Sequence, residues 1–202
     1  MEDSRPACKN RPAGDDPVRP TPAAPKPFWL DILPYSLIAA ATLVRLMPHA
    51  PNFQPMDALA LFGGAMLPGP WAFVAPLGAV ALSDTVLGFY GVGMIWVYAS
   101  YALIVVLGRL ALRRRPVVGI AGAALASAVL FYLVTNFGEW TGPLYPHTFA
   151  GLVASYTAAI PFFGNTVLSD LAYSLALFGV YDAARLAERR RTAGVAAPQR
   201  TT

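Results

Sequence analysis

The chain has 202 residues, 56% of them hydrophobic and 13% charged, with fifteen Lys and Arg against eleven Asp and Glu for a net charge of +4. Soluble domains carry roughly 25% charged residues, so this composition excludes an ordinary water-soluble globule and argues for an integral membrane protein. The basic surplus sits in the end segments and one Arg-Arg-Arg run rather than on an alternating face, which argues against a nucleic-acid interface; the single Cys8 excludes an internal disulfide, and with no Cys/His spacing suited to a metal, no metal or other cofactor is expected.

Residues 1–27 place seven prolines among charged and small residues, with no apolar run to offset chain entropy, and are expected to be a disordered cytoplasmic tail. The first apolar stretch begins only at Phe28, too late for a secretory signal, so no cleavage is expected. Six apolar runs follow: Phe28 to Met47, Met56 to Leu67, Trp71 to Gly88, Val92 to Leu112, Val117 to Phe137 and Ile160 to Leu186. A helix crossing the ~30 Å hydrocarbon layer needs about 20 residues, and five of the six meet that length. The second, between Pro55 and Pro68, is either a span completed by Pro68-Gly69-Pro70 or a segment that only dips into the layer. Behind Arg185 the residues Arg189, Arg190, Arg191, Gly194 and Pro198 read as a solvated basic end, giving a membrane domain over 28–187 and a second disordered tail over 188–202.

Basic residues orient such a bundle, because short cytoplasmic loops concentrate Lys and Arg. With six crossings and both termini cytoplasmic, fourteen of the fifteen Lys and Arg face inward. The exception is Arg45, one turn from the end of the first helix, whose stem is expected to snorkel to the head groups. Small residues four apart, Ala60 and Gly64, Ala75 with Ala79 and Ser83, and Gly122 and Ala126, mark expected helix-packing seams. The longest outward connection is expected over Glu139 to Ala159, as an interfacial aromatic belt or as a lid over an outward pocket.

Polar groups inside a bilayer are expensive and mark candidate sites. Asp57 follows Pro55 at a helix start, where capping and the helix dipole account for it. Asp84 either pairs with Arg45 or contacts a ligand. Asp170, some three turns into the sixth run, is the strongest intramembrane candidate. Asn136 and Asn165 lie in segments that combine amide, aromatic and glycine as ligand pockets do, although amides also bond helix to helix. No nucleophile elbow, zinc-protease motif or phosphate-binding loop is present, so no enzyme activity is expected.

The stretch Ala58-Leu59-Ala60-Leu61-Phe62-Gly63-Gly64-Ala65, then Pro68-Gly69-Pro70 and Ala75-Pro76-Leu77-Gly78-Ala79 ending in Ser83-Asp84, resembles the substrate-binding S component of energy-coupling factor vitamin transporters. The chain also resembles an uncharacterised bacterial six-helix membrane family in Pro51-Asn52-Phe53, Ala60-Leu61-Phe62-Gly63-Gly64 and Val134-Thr135-Asn136-Phe137-Gly138. The resemblance implies a protein that captures a small molecule from outside and is reoriented by a membrane coupling subunit and ATPases. Such components dock through an Ala-x-x-x-Ala pattern in the first helix, and the nearest match here is Ser36 and Ala40. Some relatives hold cobalamin near a membrane cysteine, whereas Cys8 lies in the N-terminal tail.

The expectation is therefore an all-α integral membrane protein of the bacterial cytoplasmic (inner) membrane, with six transmembrane helices in an S-component-like bundle and both termini cytoplasmic. It binds a small vitamin-like substrate at its outer face. Polar contacts are expected from Asn52, Gln54, Asn136, Glu139, Trp140, Asn165 and Asp170, with Phe53, Tyr132 and Phe162 packing on a ring. The alternatives are a membrane enzyme acting on lipid through Asp84, His147 or Asp170, and a ligand-free scaffold or assembly protein.

Overall fold

Proline and glycine set most of the helix boundaries. Pro55, Pro70 and Pro116 immediately precede the second, third and fifth helices, where a missing N–H leaves no hydrogen bond unmade. Gly88, at φ 96°, ends the third in a conformation that residues with a Cβ rarely adopt. The structure, a computed structural model, describes residues 27–89, 91, 93–112 and 116–195. Those residues form α1 (Trp29–Arg45), α2 (Met56–Met66), α3 (Trp71–Leu87), α4 (Gly93–Ala111), α5 (Val117–Thr141) and α6 (Phe149–Val195), with no strand among them. Expectations for residues 1–26 and 196–202, Cys8 included, lie outside the described residues.

Side-chain contacts give the helix directions. Tyr35 meets Trp71 near the start of α1 and α3, and Arg45 meets Asp84 near their ends, so these two helices run parallel. Tyr98 reaches Asp84 while Arg109 reaches Gly69, which makes α4 antiparallel to α3. Trp96 with Phe137 and Tyr101 with Phe131 make α5 antiparallel to α4, and Asn136 with Ser155 and Tyr132 with Phe163 make α6 antiparallel to α5. The start of α1 and the end of α6 therefore lie at the same end of the bundle.

The core is built around α2. Nine consecutive residues, Met56 to Gly64, are buried on every side of this helix, which touches each of the other five. At 1.5 Å per residue its 11 residues extend only about 16 Å, roughly half of a hydrocarbon layer. It can approach α4 closely because both carry glycine at the crossing: a Cβ on Gly64 would overlap the Val105 carbonyl, and one on Gly108 the Leu61 carbonyl. Gly63 lies against the Pro76 ring of α3, where a Cβ would make a tight contact 3.0 Å from Pro76 Cγ rather than an overlap. The outer helices turn large apolar side chains away from this core, among them Phe149, 80% exposed, and Val118, 84% exposed, as a surface solvated by lipid would require. Helices α4, α5 and α6 are long and apolar enough to cross a membrane.

Four expectations are corrected. The long connection over Glu139 to Ala159 does not exist: α5 continues to Thr141 and α6 begins at Phe149, leaving a short turn over 142–148. The sixth helix begins at Phe149 rather than at Ile160, so Pro161 lies well inside α6. Gly122 and Ala126 are exposed and form no seam; α5 packs instead through Ile120, Ala123, Ala124, Ser127 and Ala128. Arg45 is 6% exposed and does not snorkel, because it has protein partners inside the bundle. At the other end α6 stays helical through Val195, with Arg189, Arg190 and Arg191 exposed.

Candidate functional site

Two polar centres occupy the interior. In the first, the Arg45 guanidinium at the end of α1 uses most of its edge. Its Nη2 lies 2.8 Å from Asp84 Oδ1, its Nη1 donates to the Val80 carbonyl at 3.3 Å and to Ser83 Oγ, and its Nε donates to Gln54 Oε1 at 3.3 Å. Tyr98 of α4 donates to Asp84 Oδ2 at 2.8 Å. Five side chains from α1, α3, α4 and the loop over 46–55 thus close one network. The Arg45 and Asp84 side chains are 6% and 0% exposed, so each charge depends on the other for solvation. Of the two readings open for Asp84, pairing with Arg45 is the one the geometry shows.

The second centre lies in the seam between α2 and α6. The buried stripe of α6 runs Thr166, Ser169, Asp170, Ser174, Leu177, Phe178 and Tyr181, at the three- and four-residue spacing of one helix face. It is polar toward the start of the helix and apolar toward its end, where Phe178 packs on Phe62 of α2 at 5.0 Å. At the polar end the carboxyl of Asp170 abuts that of Asp57 in the first turn of α2. Asp57 Oδ1, both oxygens of Asp170 and Ser174 Oγ are buried without a hydrogen-bond partner. The helix dipole still favours a carboxylate at Asp57, but capping does not describe its role, because its side chain faces a second acid.

The expected binding residues fall into two groups joined by α6. In one, the loop over 46–55 is held on α6: Asn165 Nδ2 donates to the Pro51 carbonyl at 2.9 Å, Ser169 Oγ donates to the Asn52 carbonyl at 3.4 Å, and Phe53 packs on Tyr173 at 5.8 Å. Asn52 holds φ 58°, a left-handed conformation that asparagine tolerates better than most residues. Gln54 belongs to the Arg45 network, and Asp170 lies on the buried face of α6, whereas Asn165 is half-buried.

In the other group, Tyr132 donates to the Tyr156 carbonyl at 2.6 Å and packs on Phe163 at 4.9 Å, while Asn136 Nδ2 is taken by the Tyr132 carbonyl one turn back at 2.8 Å. Trp140 Nε1 donates to the carbonyls of Pro146 and Thr148 and so staples the turn before α6. Glu139 is exposed, beside Gly93 at the start of α4, and Phe162 is 43% exposed.

Asp84, His147 and Asp170 belong to different surroundings. His147 is exposed, with Nε2 3.2 Å from the Gly142 carbonyl and its ring against Trp140. Among the described residues, no group of three or more His, Cys, Asp or Glu side chains gathers as a metal site. Sequence reasoning missed Asp57 and Ser174 as companions of Asp170. Ser174 was within reach, since it follows Asp170 by four residues and therefore shares its face.

The match to a protein family spans residues 29–193, a stretch that takes in α1 to α5 whole and nearly all of α6. The chain belongs to DUF6580, a family of unknown function. No curated protein and no solved structure matches it. An uncharacterised family accords with the membrane-family resemblance, and nothing in the match links it to S components.

Proposed function

We propose that this DUF6580 protein is a multi-pass protein of the bacterial cytoplasmic membrane, with six membrane-embedded helices and both ends inside, that captures a small vitamin-like molecule from the outer face for uptake. The observation that carries the reading is the division of polar chemistry between the two ends of the bundle. Amides, acids and aromatic rings gather where α1, α3 and α5 end: Asn52, Gln54, Asn136, Trp140 and Asn165. Arg109, Arg185 and the Arg189–Arg191 run lie at the opposite end, where Lys and Arg retained in the cytosol belong. The loop over 46–55, which rests on Asn165 and Ser169 of α6, and the turn over 142–148, which rests on Trp140 of α5, are the natural walls of an outer pocket, since these side-chain to carbonyl bonds can open without unwinding a helix. Ser36 and Ala40 are exposed on α1 and offer a small-residue face to a coupling subunit that works with ATPases.

The test is mass spectrometry of small molecules that copurify with the detergent-solubilised protein, paired with uptake assays in a deletion strain. A single class of polar small molecule that is retained by the wild type and lost on Asn165→Leu is the expected result. Absence of any retained molecule together with normal uptake would favour a ligand-free scaffold.

A further inference from the structure

We propose that Asp57 and Asp170, with Ser174 beside them, form a proton-binding site in the α2–α6 seam. Two carboxyl groups that abut in a dry interior cannot both carry charge, because neither has a cation or a donor to replace the water it has lost. Asp57 is 5% exposed, Asp170 1% and Ser174 0%, and four of their oxygens are without a partner. One proton changes this arrangement. Taken up by one carboxylate, it makes that group a donor to the other, and the pair then behaves as a single anion sharing one hydrogen. Ser174 Oγ, buried without a partner one helical turn beyond Asp170, is an independent sign that the seam lacks a hydrogen-bonding occupant; its hydroxyl can donate to the remaining carboxylate charge.

The charged and titratable groups of neighbouring helices do not supply the missing cation. Arg45 of α1 is engaged with Asp84 of α3, which also receives Tyr98 of α4. Arg109 of α4 donates to the Gly69 carbonyl at the opposite end of α2, and Glu139 of α5 lies by Gly93. Tyr101 of α4 packs on Phe131, Tyr173 of α6 packs on Phe53, and Arg185 of α6 lies over Tyr181. A divalent ion lacks a donor set, since no third acidic or imidazole group joins the pair among the described residues. A proton requires only the two carboxyls.

The seam is also placed to respond to the proton. Asp57 begins the short helix on which all the others pack, and Asp170 sits next to Ser169, which holds the loop over 46–55. Losing the shared proton sets two like charges against each other at this junction, and separating them moves the start of α2 away from α6. This inference is independent of any small-molecule ligand.

Infrared difference spectroscopy on the full-length protein in lipid tests it. A carbonyl stretch from a protonated carboxyl is expected near neutral pH, shifting in D2O and vanishing as pH rises. Asp170→Asn and Asp57→Asn should each remove it, since an amide supplies the donor permanently. Asparagine keeps the shape of the site, and a thermal melt shows whether each variant is folded. Should a variant fail to fold, the wild-type band and its pH dependence still decide. Absence of the band, or its persistence in the folded double variant, overturns the proposal. So does its removal by sodium chloride at constant pH, which would assign the seam to a metal cation.

Discussion

Arg45 and Asp84 form an ion pair inside the bundle, with Nη2 and Oδ1 2.8 Å apart and both side chains out of solvent. They join the end of α1 to the last turn of α3, and Tyr98 brings α4 to the same carboxylate.

Removing one partner strands the other's charge in a low-dielectric interior, so Arg45→Ala and Asp84→Ala should each destabilise by about 3–5 kcal/mol. The double variant Arg45→Met with Asp84→Leu should lose less than the sum of the two single losses. Tyr98→Phe, which removes one hydrogen bond to a charged group, should cost about 1.5–3 kcal/mol. Reversible unfolding in mixed micelles measures all three, and additive single losses would refute the pairing.

The α2–α4 crossing gives a contrast among glycines. Gly64→Ala and Gly108→Ala force a methyl group onto a facing carbonyl and should destabilise by about 1–3 kcal/mol or prevent folding. Gly122→Ala meets open space on an exposed helix face, and its better helix propensity should raise stability by up to about 1 kcal/mol. Equal effects at the three sites would contradict the close approach.

Asn165 secures the loop over 46–55 through the Pro51 carbonyl. Asn165→Leu keeps the branching at Cγ and removes the donor, at a cost of about 1 kcal/mol. Protease cleavage within that loop should quicken while the turn over 142–148, held by Trp140, is cut at the wild-type rate.

The orientation in the proposed function is checked with single cysteines in a Cys8→Ser background. His147→Cys should react with an impermeant maleimide in intact cells, and Thr192→Cys only after permeabilisation. The reverse pattern would invert the bundle and place the amide-rich end in the cytosol.

How far the sequence reveals this fold depends on which physical signal each part uses. Long apolar runs bounded by proline and glycine located α1 to α5 closely, because length and punctuation are local properties. The start of α6 was hidden: Pro143 and Pro146 do fall in the turn before it, but Pro161 lies inside, and a proline within a membrane helix is tolerated where neighbouring groups satisfy the freed carbonyl. Arg45 and Asp84 were legible as a pair because each is a lone charge near the same end of its helix. Asp57 was not, since a carboxylate in a first turn already has a local explanation, and only the packing of α2 on α6 shows that it meets Asp170. The spacing of small residues found Gly64 but misplaced the α5 seam, because spacing does not reveal which side of a helix faces inward.

The enclosure of α2 bears on how the chain is made. Synthesis proceeds from the N-terminus, and the wall against Asp57 and Phe62 belongs to α6, which is made after the other five described helices. Until α6 arrives, a short helix with no surface meant for lipid waits with one flank open. Assembly of the centre then waits for α6, and any truncation before Asp170 leaves a protein with a gap along its axis, fit for quality-control proteases rather than for service.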